Sequence, residues 1–390
     1  SGTAETGSTV TLSSSIDGAV GTATADATTG AWSISTSALA GGVHDLTTTA
    51  TDAAGNTGIA SAALAVTVDT TAPDAPSAPD LSAASDSGTA DNDDLTNDTT
   101  PTVSGTAETG STVTLSSSID GELGTATADG TTGIWVITAS ALVDGTHDLT
   151  TTATDAAGNT GATSAALAVT IDTSTPDAPS APDLFSGSDS GSSSDDDNTS
   201  VTTPTVAGTA EANSTVNLTS DIDGLVATTT ADGSGNWLIA TSTLADGVHA
   251  LTATATDSVD NISVASAALA VTIDTTDPAA PGTPDLDAAS DTGSADDDDL
   301  TNSTTPFFAG VAEAGATVTL SSDIDGVVGT ATADATTGVW FLTTTTTLAD
   351  GTHALTATST DTAGNTSAAS ATLAVTVDTS APDAPSTPDL

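Results

Sequence analysis

Residues 142–160 read LVDGTHDLTTTATDAAGNT, and this stretch decides the fold. An Asp-Gly pair opens it and an Asp-Ala-Ala-Gly-Asn run closes it, and both contain the residue types of tight turns. Between the two turns, His147, Leu149 and Ala153 lie on alternate positions, with polar residues between them. A period of two is that of a strand with one buried face. The stretch therefore predicts a turn, a half-buried strand at 147–153 and a second turn.

The same pattern occurs four times along the 390 residues. Its markers are Trp32, Trp135, Trp237 and Trp340, followed by His44, His147, His249 and His353. Successive copies lie 102 to 104 residues apart, which is long enough for a domain that folds alone. We predict repeat 1 at 1–72, without its N-terminal part, repeat 2 at 73–175, repeat 3 at 176–277, repeat 4 at 278–381, and the start of another repeat at 382–390.

Each repeat is predicted to be an all-β, immunoglobulin-like antiparallel sandwich, because short alternating segments and turn clusters follow one another without helix signals. The seven strands predicted for repeat 2 are 79–81, 102–107, 113–117, 123–128, 135–139, 147–153 and 165–171. An odd number of strands places the leading and trailing ends of the chain at opposite ends of the sandwich. The repeats can then follow one another as a monomeric linear rod, each with its neighbours as partners.

The charge of the chain is entirely negative, with 52 acidic residues and no lysine or arginine. This balance argues against nucleic acid and against direct contact with anionic membranes, and it means that any cation must come from outside. Five of the acids are glutamate and the other 47 are aspartate, the short carboxylate of calcium loops and turns. The absence of cysteine excludes disulfides and thiolate metal sites.

Several phrases recur in a fixed order along the copies, with single substitutions in some of them. In residues 142–149, His147 and Leu149 take the places that an aromatic hydroxyl and a cysteine hold in the corner before strand F of immunoglobulin domains. The order Gly-Thr-Ala-Glu, Ser-Ile-Asp-Gly, Gly-x-Trp, Asp-Gly-x-His, Thr-Asp-x-Ala-Gly-Asn and Val-Asp-Thr-x-x-Pro resembles the bacterial Ig-like repeats of giant biofilm-associated and RTX adhesins. The resemblance implies an extender region at the bacterial cell surface, type I secretion and Ca²⁺ bound between domains.

The turns of successive repeats are expected to meet at the junctions. Alternating strand direction brings the trailing Asp69 of repeat 1 to the leading-end turns of repeat 2, so that several carboxylate and amide oxygens converge without a competing cationic side chain. Ca²⁺ takes six to eight oxygen ligands from flexible loops. The predicted ligands are Asp69, Glu108, Asp155 and Asn159 at the first junction, Asp172, Glu211 and Asp257 at the second, and Asp274, Glu313 and Asp361 at the third.

An acidic loop near the start of each complete repeat is a second candidate. In repeat 2 it contains Asp86, Asp91, Asp94 and Asp98. These residues are either ligands of one or two further Ca²⁺ ions or a solvated acidic loop. The loop lacks the sixth-position glycine and the closing glutamate of an EF-hand.

Enzyme activity is not expected. Each histidine has a structural corner position, and paired carboxylates such as Asp17 and Asp26 are predicted at opposite ends of a domain, too far apart for glycosidase chemistry. The alternative to a spacer is an adhesion module that binds a glycan, ice or another copy of itself. The row of Thr47, Thr49 and Thr51 fits ordered water on ice, although threonine is also a favoured strand residue.

Overall fold

In the computed structural model, we describe residues 1–88, 90, 92–191, 193–292, 295 and 298–386. All regular secondary structure in this part of the chain is β-strand. These residues contain no apolar helix of membrane-spanning length. The chain forms two compact units, Ser1–Thr173 and Ser174–Leu390. The first unit contains repeats 1 and 2, and the second contains repeats 3 and 4.

In the first unit, repeat 1 forms two small sheets and repeat 2 a complete sandwich. The strands of repeat 1 are β1 (Gly2–Thr3), β2 (Thr9–Ser14), β3 (Gly18–Thr24), β4 (Ala31–Trp32), β5 (Gly42–Thr51) and β6 (Leu64–Val68). Those of repeat 2 are β7 (Asp80–Leu81), β8 (Leu95–Thr96), β9 (Thr102–Thr106), β10 (Thr112–Ser117), β11 (Gly121–Thr127), β12 (Ile134–Thr138), β13 (Gly145–Thr154) and β14 (Leu167–Ile171).

The two sheets of repeat 2 have the orders β11-β10-β13-β14-β8 and β12-β9-β7. Every pairing is antiparallel except that of β8 with β14, which is parallel. Residues from both sheets meet in one core, with Leu115 and Leu149 on the larger sheet and Trp135 on the smaller. The alternation read from 142–160 is therefore the inward face of β13, and the predicted all-β antiparallel sandwich is confirmed.

The second unit repeats this architecture twice. Repeat 3 has β15 (Asp183–Leu184), β16 (Asn198–Thr199), β17 (Thr205–Thr209), β18 (Thr215–Ser220), β19 (Gly224–Thr230), β20 (Asn236–Ala240), β21 (Gly247–Thr256) and β22 (Leu269–Ile273). Repeat 4 has β23 (Asp285–Leu286), β24 (Leu300–Thr301), β25 (Phe307–Val311), β26 (Thr317–Ser322), β27 (Gly326–Thr332), β28 (Val339–Thr343), β29 (Gly351–Thr360) and β30 (Leu373–Val377). The pairing order in both repeats is that of repeat 2.

The prediction of seven strands in repeat 2 is wrong by one, because β8 lies inside the acidic loop. Two residues are too few to show an alternation of buried and exposed positions, and β8 pairs with a strand that is distant in sequence, β14. β8 runs parallel to β14, the last strand of the repeat. The chain therefore enters β8 and leaves β14 at opposite ends of the larger sheet.

The glycine of the Gly-Thr-Ala-Glu phrase is required by the core tryptophan. A Cβ atom on Gly105 would lie 2.6 Å from Cζ2 of Trp135, and the corresponding distance is 2.4 Å for Gly208 and Trp237. No carbon atom fits at that separation, so only glycine lets the strand backbone lie against the indole ring. This contact closes one side of a core made otherwise of small aliphatic residues.

Candidate functional site

The first predicted junction forms a single open cleft within the first unit. Asp69 follows β6, Glu108 lies in the turn after β9, and Asp155 lies in the turn after β13. All three line one cleft of about 550 Å³ between repeats 1 and 2. Three of the four residues predicted there thus line this cleft, and their role as ligands remains a prediction.

Asp155 also accepts hydrogen bonds within its own turn. One of its oxygens, Oδ1, accepts the N–H groups of Ala157 at 2.8 Å and Asn159 at 2.9 Å, and Oδ2 accepts Asn159 Nδ2 at 2.8 Å. The side-chain bond from Asn159, with the backbone bonds, lowers the pKa of Asp155 below its usual value. Asp52 in repeat 1 holds its turn through Asn56 in the same way. Each of these aspartates shapes its turn through hydrogen bonds within the turn itself.

Asn159, the fourth predicted residue, connects the two repeats directly. Its Nδ2 also donates to the backbone oxygen of Asp69 at 3.1 Å. In the second unit Asn365 Nδ2 makes the same bond to the oxygen of Asp274 at 2.8 Å. A hydrogen bond from the Asp-x-x-Gly-Asn turn to the end of the preceding strand therefore occurs at both junctions that lie within a unit.

The remaining predicted junction residues lie at matching places in their repeats. Asp274 follows β22, Glu313 follows β25, and Asp361 follows β29, where it is 7% exposed. Asp172 follows β14 in the first unit and donates its N–H to Thr96. Glu211 and Asp257 belong to the second unit, in the turns after β17 and β21. The grouping of Asp172, Glu211 and Asp257 stays a prediction.

In the acidic loop of repeat 2, the predicted residues have different surroundings. Asp86 is buried, whereas Asp94 has a left-handed backbone with φ of 60°. Burial, with a smaller contribution from Asp80 and Asp93, raises the pKa of Asp94. The fourth predicted residue, Asp98, instead accepts the N–H and the hydroxyl of a threonine two positions on. Asp91, also predicted, lies outside the described residues.

The corresponding loops of repeats 3 and 4 share the buried first aspartate and the left-handed later one. Asp189 and Asp291 are each 8% exposed, and Asp197 and Asp299 have φ values of 57° and 55°. Across the described residues, no three Asp, Glu or His side chains are already grouped closely enough to hold a metal ion. The loops bring acidic side chains near one another without closing them into a finished cage.

The comparisons with known proteins agree with this architecture. The model of the bacterial Ig-like domain matches residues 1–70, 72–173, 175–275 and 278–379. The chain belongs to this family. A comparison with curated proteins finds no match.

Solved structures resemble the chain at low identity. A bacterial ice-binding adhesin of 1.5 MDa, studied for host cell surface retention, is 23% identical, with 78% of this chain and 98% of that one covered and a TM-score of 0.30. The BSP domain of a biofilm-associated protein is 14% identical, with coverage of 87% and 76% and a TM-score of 0.20. Chicken CNTN1 FN1-FN3 domains are 10% identical, with coverage of 78% and 99% and a TM-score of 0.31.

In each Ig-like repeat the histidine makes the corner hydrogen bond that its position implies. His147 is fully buried; its Nε2 donates to the oxygen of Val143 at 2.8 Å, and its Nδ1 accepts from Ser117 Oγ at 2.8 Å. Asp120 Oδ2 lies 3.6 Å from the same Nδ1. The serine and the aspartate thus both lie at Nδ1 while Nε2 is bound to backbone, so this group lacks the arrangement of a catalytic triad.

The sequence reasoning did not assign a further aspartate that fixes the chain as it leaves each complete Ig-like repeat. Asp144 Oδ1 accepts the Thr173 hydroxyl at 2.9 Å, at the first residue of the linker. Asp246 and Asp350 bind Thr275 and Thr379 in the same way. The Asp-Gly-x-His phrase contains this aspartate in repeats 2 to 4, whereas repeat 1 has Gly41 in its place. That difference between the copies is the sequence signal that could have found it.

Proposed function

We propose that this chain of bacterial Ig-like domains is a non-catalytic spacer of a secreted surface adhesin, stiffened by Ca²⁺ at the junctions between repeats. The observation that carries the proposal is the cleft where Asp69 of repeat 1 and Glu108 and Asp155 of repeat 2 lie together. An extracellular location and type I secretion belong to the same proposal. Four nearly identical domains in series support length, rather than a single active site, as the useful property.

The donor chemistry of the cleft fits Ca²⁺. Carboxylate and backbone oxygens are its preferred ligands, and the chain has no lysine or arginine that could neutralise these aspartates and glutamates instead. Asp69 and Glu108 would supply carboxylates from the two sides of the junction, and Asp155 would supply a third. By position, Asp274, Glu313 and Asp361 would serve the junction in the second unit. Without an ion, the carboxylates on the two sides of the junction repel each other; a bound Ca²⁺ would attract both of them.

The test compares two glutamates of repeat 2. Glu108→Gln should remove one bound Ca²⁺ per chain, whereas Glu122→Gln, at an exposed position of β11 that does not line the cleft, should leave the number of bound ions unchanged. Calcium at 100 times its Kd should add about 2.7 kcal/mol per site to the free energy of unfolding. Equilibrium dialysis and melting curves with calcium or with chelator measure both effects.

Length provides the functional readout. Small-angle scattering should give a longer maximum dimension in calcium than in chelator for the parent chain, and a smaller difference for Glu108→Gln. A dimension that does not respond to calcium would contradict the spacer function even if ions bind. Unchanged ion counts in Glu108→Gln would instead contradict the assignment of the junction ligands.

One observation favours a second function, glycan binding, in repeat 4. Phe307 and Phe341 stack with ring centroids 5.9 Å apart, and Phe341 is 60% exposed on the smaller sheet. Exposed aromatic rings are the usual platform for sugar faces, and repeats 2 and 3 have Thr102 and Thr205 where Phe307 lies. A glycan array on the parent chain tests this function; saturable binding that is lost in Phe341→Thr would replace the spacer interpretation for this repeat.

A further inference from the structure

The outer face of the smaller sheet is apolar in repeat 4. Three of the four phenylalanines of the chain lie in this sheet, which has the order β23-β25-β28. Phe308 belongs to the core, whereas Phe307 and Phe341 stack on the outside with ring centroids 5.9 Å apart. Val311 and Val339 lie directly opposite each other on the same face. Phe341 is 60% exposed and Val311 is 54% exposed, so the face presents a continuous apolar patch to solvent.

Repeats 2 and 3 have the same fold without this patch. The positions of Phe307 and Val311 are occupied by threonine in both of them. These threonines are Thr102 and Thr106 in repeat 2 and Thr205 and Thr209 in repeat 3. Threonine suits an exposed strand position, so the sandwich itself does not require phenylalanine or valine there. Contiguous exposed apolar side chains of this kind mark a surface that another molecule covers.

Carboxylates border the patch. Asp285 of β23 and Phe341 of β28 both pair with Ala309 of β25, so all three side chains lie on the same side of the sheet. Asp334 lines an open cleft together with Phe341. The hydroxyl and the N–H of Thr337 donate to Asp334 Oδ1 at 2.8 Å and lower the pKa of this carboxyl. Asp334 is therefore charged at neutral pH, and the chain has no lysine or arginine to neutralise it.

We propose that this face of repeat 4 docks a basic, apolar polypeptide segment of another protein, with Phe307 and Phe341 as the anchors. Aromatic side chains at the centre and charged groups at the rim are the usual anatomy of a protein interface. A second copy of the chain would bring a formal charge of −52 to the contact and be repelled. Lysine or arginine side chains of a partner would instead meet Asp285 and Asp334.

The aliphatic part of the patch favours a polypeptide over the sugar considered above. Val311, Val339 and Ala309 surround the rings with surface that gains from contact with apolar side chains. Sugar hydroxyls placed on this surface would lose their hydrogen bonds to water without gaining new ones. The docking face goes beyond the spacer function and uses none of the residues that line the junction cleft.

The test uses the full chain with fluorine-labelled phenylalanine, and a short peptide of alternating lysine and leucine as the probe. Fluorine NMR then reports on four rings only. The peptide should move the signals of Phe307 and Phe341 but not that of Phe185, which is 48% exposed in repeat 3 and serves as an internal control. Peptides with serine in place of leucine, or glutamate in place of lysine, should bind at least about tenfold more weakly.

The double variant Phe307→Thr, Phe341→Val restores the residues that repeat 2 has at both positions, so it should keep the fold. It should weaken peptide binding at least about 30-fold, the usual loss when aromatic anchors are removed. Asp285→Asn should weaken binding less and reduce its dependence on salt. The matched control is Val136→Thr, at the position of repeat 2 that corresponds to Phe341 and 57% exposed, and it should leave the affinity unchanged.

Equal affinity for the serine peptide would overturn the inference, because the net charge of the chain would then explain the binding. Unchanged affinity in the double variant, or a Phe185 signal that moves as far as that of Phe341, would also overturn it. A dimer of the chain that the double variant abolishes would assign the face to a second copy instead. Glycan binding lost in the double variant, with peptide binding retained, would assign it to a sugar.

Failure of the spacer function is distinguishable from these results. The maximum dimension in calcium should be the same for the double variant and the parent chain. If the scattering length ignores calcium while the double variant loses the peptide, the docking face stands and the spacer function fails.

Discussion

Replacement of Asn159 by alanine should loosen the junction between repeats 1 and 2, whereas replacement of Asn56 should not. Both asparagines bind the carboxylate of their own turn at 2.8 Å, but Asn159 Nδ2 also donates to the oxygen of Asp69 at 3.1 Å. The two variants share the loss within the turn and differ in the bond across the junction. A net hydrogen bond contributes about 1 kcal/mol, so the ratio of closed to open junctions should fall about fivefold.

The absence of cysteine makes this measurable with two introduced labels. Spin labels on cysteines at Ala27 and Thr131, both exposed, report the distance between the leading ends of repeats 1 and 2. In chelator, which removes the contribution of any ion, Asn159→Ala should broaden the distance distribution while Asn56→Ala keeps the parent width. Equal distributions for all three chains would refute the bridging role of Asn159.

Two further predictions concern the stability of repeat 2. His147→Phe should lower the free energy of unfolding by roughly 2–4 kcal/mol, because it removes the bond to Ser117 and leaves the oxygen of Val143 without its donor. Faster hydrogen exchange of the core amides measures the loss, and a change below about 1 kcal/mol would contradict it. The carboxyl of Asp129 should titrate below 3.8, because the backbone N–H of Thr132, its hydroxyl and a second backbone N–H lower its pKa. The stability that this turn contributes is then present above pH 3.8 and lost only as the pH falls through the lowered pKa. Carboxyl NMR should show Thr132→Val moving the midpoint upward, and an unmoved midpoint would count against the assignment.

The fold was largely predictable because burial in this chain follows a period of two with little interruption. His147, Leu149 and Ala153 alternate along β13, and each is buried in the structure. β8 could not be found in this way, since Leu95 and Thr96 are too few to show a period. Their strand conformation comes from pairing with Thr170 and Ile171, far along the chain. A local pattern predicts strands that have one buried and one exposed face. It misses short strands that form only by pairing with a segment distant in sequence.

The acidic loop shows a similar limit for the site. Sequence placed several aspartates there but could not separate Asp86, which is buried, from Asp98, which binds Thr100 within a turn. Comparison of the copies would have helped, because Asp98 is replaced by Val201 and Ser303 in the other repeats. Asp86, in contrast, keeps its equivalents in both, which are named above. Burial itself depends on the packing of the loop against the sandwich and has no local signature.

The aspartates of this chain divide into two groups that should respond differently to calcium. Asp129 and Asp155 receive N–H groups from their own turns, which lower their pKa and compensate their charge without any ion. Burial, and then the charge of neighbouring carboxylates, raises the pKa of Asp94, Asp189 and Asp197 in the acidic loops. Removal of calcium should therefore leave the first group and its turns intact and act on the second. Ser190, in the loop of Asp189, donates to the backbone oxygen of Ala363 in repeat 4, and the hydrophobic cores of repeats 2 to 4 contain none of these aspartates. Chelation should therefore release contacts between repeats before it unfolds a repeat.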